Sequence, residues 1–154
     1  MRKGAGKGRN APPQSSAAGA ATVPVPAVKG YMLKKYLRPA ALPFTFCPGC
    51  GCGTVLNIFS SAVENLGIKA EGICMVSGIG CSSWIPSPYF KADTLHTTHG
   101  RALAFASGVK VMKPGMKTVV ISGDGDIAGI GGNHLIHAAR RNIGITVIMV
   151  NNQI

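Results

Sequence analysis

Two short apolar runs on either side of a glycine-rich segment constrain most strongly how this chain can fold. Residues 118–121 and 145–150 are rich in β-branched side chains and carry no charge, which is typical of strands buried on both faces. Residues 129–141 lie between them and are predicted to form a helix that a glycine-rich loop opens. A strand, a helix and another strand in this order predict a crossover between parallel strands.

The same alternation extends toward the N-terminus. Residues 54–66 and 99–111 have apolar side chains at helical spacing, residues 72–76 form an apolar strand candidate, and the segment with Pro86 and Pro88 is predicted to be a loop. We therefore expect an α/β domain with a parallel sheet and helices on both faces. Because the sequence stops just after a core strand, we expect an apolar edge there. The domain is then incomplete at its C-terminus, or a partner completes the sheet.

The net charge of +11 is concentrated in the first part of the chain. Residues 1–38 carry eight basic residues and no acid, whereas residues 39–154 carry eight basic and five acidic residues, a net of +3. We interpret residues 1–30 as a disordered Gly/Ala/Pro tail, residues 31–46 as an arm, and residues 47–154 as the domain. This distribution argues against nucleic-acid binding. Without a membrane span or a secretory signal in the sequence, we expect a cytoplasmic protein.

A polar motif follows each of the last two predicted strands. Gly123-Asp124-Gly125 follows the first, and Asn151-Asn152 comes after 25 intervening residues, directly behind the second. Neighbouring parallel strands lie about 5 Å apart, and α/β sheets bind ligands at the carboxyl ends of their strands. We therefore expect Asp124 and Asn152 to lie side by side, although Gly-Asp-Gly alone is also an ordinary turn.

Carboxylate and amide oxygens suit Mg²⁺ or Ca²⁺ rather than zinc, and nearby glycines allow a phosphate group to approach the backbone. The sequence thus predicts a metal-bridged diphosphate. The arrangement resembles the thiamine diphosphate-binding motif. That resemblance implies that Asp124, the Asn152 side chain and the Ile154 backbone oxygen bind Mg²⁺, and that Gly125 and Asp126 lie against the diphosphate.

The five cysteines do not form an obvious disulfide framework, because their number is odd and three of them lie close together. Cys47-Pro-Gly-Cys50 is a tight turn that can direct two thiolates at one metal site, and by itself it does not distinguish zinc from an iron–sulfur cluster. We interpret Cys74, in an apolar strand, as a small buried side chain, and Cys52 as structural.

Four phrases in matching order, from about Tyr36 to Ile154, resemble the beta subunit of 2-oxoacid:ferredoxin oxidoreductases, most closely the 2-oxoglutarate type. They are Phe-Cys-Pro-Gly-Cys-Gly, Val-Ser-Gly-Ile-Gly-Cys-Ser-Ser, Leu-His-Thr-Thr-His-Gly-Arg-Ala-Leu-Ala-Phe-Ala, and Gly-Asp-Gly-Asp with Gly-Gly-Asn-His-Leu-Ile-His-Ala-Ala-Arg-Arg-Asn downstream. The resemblance implies that Cys47, Cys50 and Cys81 are ligands of a [4Fe–4S] cluster. It also implies further contacts to thiamine diphosphate, from Ile79, Gly80, Cys81, Ser82 and Thr97.

The resemblance implies oxidative decarboxylation of a 2-oxoacid to acyl-coenzyme A and CO₂, with electrons passing to ferredoxin. It also implies an alpha subunit that carries the pyrimidine-binding domain, because nothing in this sequence supplies one, and a fragment that is inactive alone. Trp84 departs from the family, which often has a basic residue there, and leaves the substrate open between 2-oxoglutarate and pyruvate. Two other functions remain: a thiamine enzyme without electron transfer, and a zinc-ribbon-like binding module with a basic tail.

Overall fold

The computed structural model describes residues 34–153, which form a four-stranded parallel sheet in the order β2-β1-β3-β4. The strands are β1 (Ile73–Ser77), β2 (Asp93–His96), β3 (Lys117–Gly123) and β4 (Ile145–Val150), and the helices are α1 (Gly51–Asn65), α2 (Ala102–Met112) and α3 (Gly132–Arg140). Across residues 34–153, every helix is too short or too polar to cross a membrane. The predicted tail, residues 1–30, lies outside the described residues.

The central strands are buried on both faces, which explains their continuous apolar runs. Met75 and Ile121 belong to a core that includes Leu56 and Phe59 of α1. Val76 and Val120, on the opposite face, belong to a second core with Leu103 of α2. Because successive side chains of a strand point to opposite faces, the helices lie on both sides of the sheet. The predicted α/β fold with a parallel sheet is confirmed.

Residues 34–46, most of the predicted arm, lie against the domain. Tyr36 and Leu37 are buried in the α1-side core, and Leu37 forms an isolated antiparallel bridge with Phe90. The Tyr36 ring stacks on Phe90 at 5.7 Å between centroids, and the Arg38 amide donates to the Tyr89 carbonyl at 2.9 Å. This segment therefore covers one side of the core and adds to its apolar contacts.

Most predicted elements agree with the structure in type and differ in their ends, but one strand was missed. β2 was predicted to be part of a loop. It contains four residues of mixed polarity, Asp-Thr-Leu-His, and it is partly exposed. It is a strand because it pairs in parallel with β1, from Cys74 opposite Asp93 to Ser77 opposite His96. Such a short edge strand depends on its neighbour and has no hydrophobic periodicity of its own.

Two helices begin later than predicted. α2 begins at Ala102 rather than at residue 99, since Gly100 has a φ of +72° that a right-handed helix does not accommodate. The glycine-rich segment before α3 forms a separate π-helical turn, Gly125–Ile130, and α3 itself begins at Gly132. Both changes leave residues of the predicted helices in loops at the carboxyl edge of the sheet, where they are available for other contacts.

β4 forms one edge of the sheet in the described part of the chain. Its side chains are less buried than those of β3, and Val147 and Met149 are 37% and 42% exposed. The apolar edge expected from the sequence is therefore present at this strand.

Candidate functional site

The carboxyl ends of all four strands meet at one edge of the sheet, and most of the predicted site residues follow these ends. β1 leads into residues 78–82, β2 into Thr97, β3 into residues 124–126, and β4 into Asn152. The adjacent strands β1 and β3 continue to opposite faces: the segment after β1 packs on the α1-side core, and α3 lies beside α2. Strands that diverge in this way leave a crevice at the edge, the usual ligand position in α/β sheets. We call this edge, with its loops, the carboxyl edge.

Asp124 and Asn152 meet at the carboxyl edge although they are 28 positions apart. Gly123 and Val150 are register partners at the ends of β3 and β4, so the residues that follow them emerge next to each other. The backbone amide of Asn152 donates to Oδ1 of Asp124 at 3.4 Å. The expected proximity is thus present, and the Asp124 carboxylate is half-buried there. Ile154, the third predicted Mg²⁺ ligand, lies outside the described residues.

The loop after β1 packs against the end of β3. Ser82 is buried, and its Oγ lies 3.3 Å from the position that a Cβ on Gly123 would occupy. Next to it, the hydroxyls of Ser83 and Ser122 are hydrogen-bonded at 2.6 Å. Gly80 has a φ of +130°, a backbone conformation that residues other than glycine rarely adopt, so glycine is required at this bend. The loop therefore has a fixed position beside Asp124, with Ile79 and Cys81 exposed.

Thr97 and Gly125 also lie at the carboxyl edge. Thr97 directly follows β2, and Gly125 directly follows Asp124. The Thr97 hydroxyl is buried and donates to the Ser77 carbonyl at 3.0 Å, and the Thr97 amide donates to the same carbonyl at 2.7 Å. Its side chain thus joins the ends of β1 and β2. Gly125 begins the π-helical turn and is half-buried. Contacts of either residue with a cofactor stay predictions.

Asp126, which is predicted to lie against the diphosphate, is almost completely buried at the carboxyl edge. The side chain is 2% exposed, and Oδ1 accepts hydrogen bonds from the Gly100 amide at 2.7 Å, the Ile79 amide at 3.1 Å and His99 Nδ1 at 2.7 Å. Burial by itself raises the pKa of this carboxyl. The donors Gly100, Ile79, Ser122 and His99 outweigh burial, and the pKa of Asp126 lies below its usual value. Oδ2 is buried and has no hydrogen-bond partner among residues 34–153.

The cysteines divide by exposure. Cys47 and Cys81 are exposed and Cys50 is half-buried, whereas Cys52 and Cys74 are buried, as the structural interpretation of these two requires. The Cys50 amide donates to the Cys47 carbonyl at 2.9 Å and closes the tight turn.

Burial, the neighbouring Cys50 and then Cys81 raise the pKa of Cys52 to about 11. Residues 34–153 contain no group of three or more His, Cys, Asp or Glu side chains arranged to hold a metal ion. The cluster ligands stay predictions.

His99 and Gly78 lie at the carboxyl edge but were not among the predicted site residues; from the sequence, His99 was expected to have a packing or cofactor-loop role. His99 contacts Asp126 from the loop after β2, and a Cβ on Gly78 would overlap the Asp126 carboxylate. The glycine of the His-Gly-Arg phrase could have indicated a turn, because glycine accommodates the positive φ that many turns need, and Gly100 has a φ of +72°. Nothing local in the sequence pairs that turn with Asp126, 27 positions away.

Comparison with known proteins agrees with this geometry. Residues 78–154 match the family described as "Thiamine pyrophosphate enzyme, C-terminal TPP binding domain". The match includes the loop after β1, the residues of the carboxyl edge, and the strands β3 and β4. This chain belongs to that family.

Several relatives narrow the family of this chain further. The chain is 59% identical over 120 residues to the 2-oxoglutarate synthase subunit KorB of Methanothermobacter marburgensis, covering 78% of this chain and 42% of the relative. It is 57% identical over 120 residues to the subunit of the same name from Methanocaldococcus jannaschii, covering 78% and 44%. The predicted resemblance to beta subunits of 2-oxoacid:ferredoxin oxidoreductases, of the 2-oxoglutarate type, is confirmed.

A solved structure has the same fold. It is the 2-oxoglutarate:ferredoxin oxidoreductase from Magnetococcus marinus with 2-oxoglutarate, coenzyme A and succinyl-CoA bound. The TM-score is 0.74 and the identity is 42%, over 79% of this chain and 40% of that one. The chain therefore spans about two fifths of the length of these relatives.

Proposed function

We propose that this chain is the part of a 2-oxoacid:ferredoxin oxidoreductase beta subunit that binds magnesium-thiamine diphosphate. The observation that carries the proposal is the meeting of Asp124 with the Asn152 backbone at the ends of two paired strands. The half-buried Asp124 carboxylate lies beside residues whose side-chain amide and backbone carbonyl oxygens can also bind a metal ion. Oxygen ligands of this kind suit Mg²⁺, which usually takes its remaining ligands from water and phosphate. The donor set therefore fits the cation that accompanies this cofactor.

Each edge segment has a part in this proposal. Asp124, Asn152 and Ile154 would hold Mg²⁺, and Gly125 with the turn at Asp126 would approach the diphosphate. The remaining cofactor contacts would come from Ile79, Gly80, Cys81, Ser82 and Thr97. Thiamine diphosphate, when bound, supplies a carbon nucleophile for the keto group of a 2-oxoacid and accepts the electron pair that CO₂ leaves behind.

The reaction that we propose for the complete enzyme is oxidative decarboxylation of a 2-oxoacid to acyl-coenzyme A and CO₂, with ferredoxin as electron acceptor. The names of the relatives favour 2-oxoglutarate over pyruvate as the substrate. Trp84 is 46% exposed next to the Cys81 loop and can offer an apolar wall but no charge to a substrate carboxylate. The second carboxylate of 2-oxoglutarate would then be bound by other groups, and we propose an alpha subunit as a partner.

A [4Fe–4S] cluster with Cys47, Cys50 and Cys81 as ligands is a separate part of the proposal. The exposure of Cys47 and Cys81 and the tight turn that joins Cys47 to Cys50 support it. A cube normally has four protein ligands, and these are three thiolates, so we derive no electron-transfer step from them.

Binding of the cofactor tests the central proposal. In the complete enzyme, thiamine diphosphate affinity is measured by calorimetry with and without Mg²⁺ for wild type, Asp124→Asn and Asp93→Asn. Asp124→Asn should weaken Mg²⁺-dependent binding by at least about 10- to 100-fold, the loss that even outer partners of metal ligands cause. Asp93 is an exposed carboxylate on β2 and serves as the matched control. Unchanged Mg²⁺-dependent affinity in Asp124→Asn would refute the metal assignment.

Iron analysis tests the cluster and the other two functions. Cys81→Ala should lower the iron content and the absorbance near 400 nm of the complete enzyme, whereas Cys74→Ala, at a buried cysteine, should not. Thiamine diphosphate binding without any iron would favour a thiamine enzyme without electron transfer. Bound zinc with no response to thiamine diphosphate and Mg²⁺ would favour the binding module.

A further inference from the structure

Asp126 joins three loops of the carboxyl edge through one oxygen atom. Its Oδ1 accepts from the Ile79 amide in the loop after β1, from the Gly100 amide and His99 Nδ1 in the loop after β2, and it belongs itself to the turn after β3. Asp126 thus bonds to the loops after two other strands from its own position after β3. Removing this oxygen would leave two loops without their common attachment.

Glycines surround Asp126 where these loops approach it. A Cβ on Gly78 would overlap both carboxylate oxygens, and a Cβ on Gly131 would come within 2.5 Å of the Asp126 carbonyl. Gly100 has a φ of +72° and directs its amide at Oδ1. Glycine is therefore required at Gly78 by the Asp126 carboxylate itself, at Gly131 by the Asp126 backbone carbonyl, and at Gly100 by its positive φ and the nearby Ile130.

The orientation of the Asp126 side chain shows whether its carboxylate faces the diphosphate position or the protein interior. A carboxylate that faced a diphosphate would be repelled by it, since like charges at close range are unfavourable. The Asp126 side chain instead faces the interior, where N–H donors neutralise its charge locally. Its turn can still approach a diphosphate through the backbone, while the side chain performs a different task.

His99 gains a defined orientation from this contact. A carboxylate accepts hydrogen bonds, so Nδ1 of His99 must be the protonated nitrogen at 2.7 Å from Oδ1. Nε2 makes no hydrogen bond to residues 34–153, and the His99 side chain is 44% exposed at the carboxyl edge. A buried carboxylate that fixes one ring nitrogen and leaves the other for a ligand is a common way to prepare a histidine for binding or proton transfer.

We infer that Asp126 is a positioning residue of the cofactor edge: its carboxylate holds the loops at Ile79 and Gly100 in place and fixes His99 in the Nδ1–H form, with Nε2 presented to a ligand. The identity of the edge as a cofactor site rests on the proposed function. The arrangement of the loops and the histidine does not, so it is tested on the protein without cofactor.

Hydrogen exchange measured by mass spectrometry on the complete cofactor-free protein tests the loop attachment. In Asp126→Ala, peptides containing the Ile79 and Gly100 amides should exchange at least about tenfold faster, because each loses a hydrogen bond to a charged group. Asp93→Asn should exchange like wild type. Equal protection in Asp126→Ala and wild type would overturn the inference, as would faster exchange spread evenly through β1 and β3, which indicates a general loss of stability.

The protonated nitrogen of His99 gives an independent measurement that does not require Asp126→Ala to fold. Nitrogen-15 spectra of the complete protein with labelled histidine, at about pH 9, well above the ordinary histidine pKa of about 6.5, should show His99 in the Nδ1–H form. Asp126→Asn, whose Oδ1 can still accept from both amides and from Nδ1–H of His99, should leave His99 in the Nδ1–H form. His96, whose Nδ1 lies 3.0 Å from the Ser77 hydroxyl, is the internal reference. An Nε2–H form of His99 in wild type would overturn the inference.

Discussion

Substitution of Gly78 by alanine should destabilise the protein through Asp126. The added Cβ would lie well under 3.0 Å from both Asp126 carboxylate oxygens, and real Cβ atoms do not approach so closely. Gly78 and Asp126 are both buried, so neither can move into solvent. The carboxylate must therefore retreat by roughly 1 Å to reach van der Waals distance.

This movement breaks contacts that are already short. The bonds to the Gly100 amide and to His99 Nδ1 are 2.7 Å long, and the bond to the Ile79 amide is 3.1 Å long. Overpacking costs about 1–3 kcal/mol, and a buried acceptor that loses its partners costs about 1–3 kcal/mol more. We expect a loss of roughly 3 kcal/mol in the free energy of unfolding, or about 6–12 °C in Tm for a protein of this size class.

The assay is thermal unfolding of the complete protein followed by circular dichroism, with Gly72→Ala as the matched control. Gly72 directly precedes the same strand, and a Cβ there would meet no atom within 4 Å. Gly72→Ala should change Tm by no more than about 2 °C, because it alters only backbone freedom. A Gly78→Ala protein as stable as Gly72→Ala would refute the steric argument and the position of Asp126.

Two further predictions concern α1 and its cysteine. Leu56→Ala should lower the free energy of unfolding by about 2–5 kcal/mol, because Leu56 is only 2% exposed. Ile58→Ala on the same helix should cost much less, because Ile58 is 63% exposed. Unfolding in urea compares the two variants. In protein from which bound metal has been removed, Cys52 should react with iodoacetamide far more slowly than exposed Cys47 at pH 8.5, because burial and then Cys50 raise the pKa of Cys52 to about 11. The same raised pKa stabilises the fold fully below pH 9, and this contribution should disappear as the pH rises through about 11. Equal alkylation rates in the folded protein would contradict the burial of Cys52.

Much of the fold follows from hydrophobic patterns that are local in the sequence. β4 has the predicted bounds, and β1 and β3 overlap their predictions, because a strand buried on both faces must be apolar throughout. The crossover between β3 and β4 then requires Asp124 and Asn152 to emerge together, since both follow the carboxyl ends of paired strands. The family resemblance likewise depends on short phrases whose order is visible in the sequence.

Only the tertiary structure decided the features that depend on distant partners. β2 is a strand because β1 offers it hydrogen bonds, and its own residues do not show this. Asp126 was expected against a diphosphate, and its carboxylate faces inward because amides from two other loops and His99 converge on it. Hydrophobic periodicity and motif spacing are properties of neighbouring residues, whereas the direction of a buried carboxylate is set by whichever backbone donors the completed fold brings within reach.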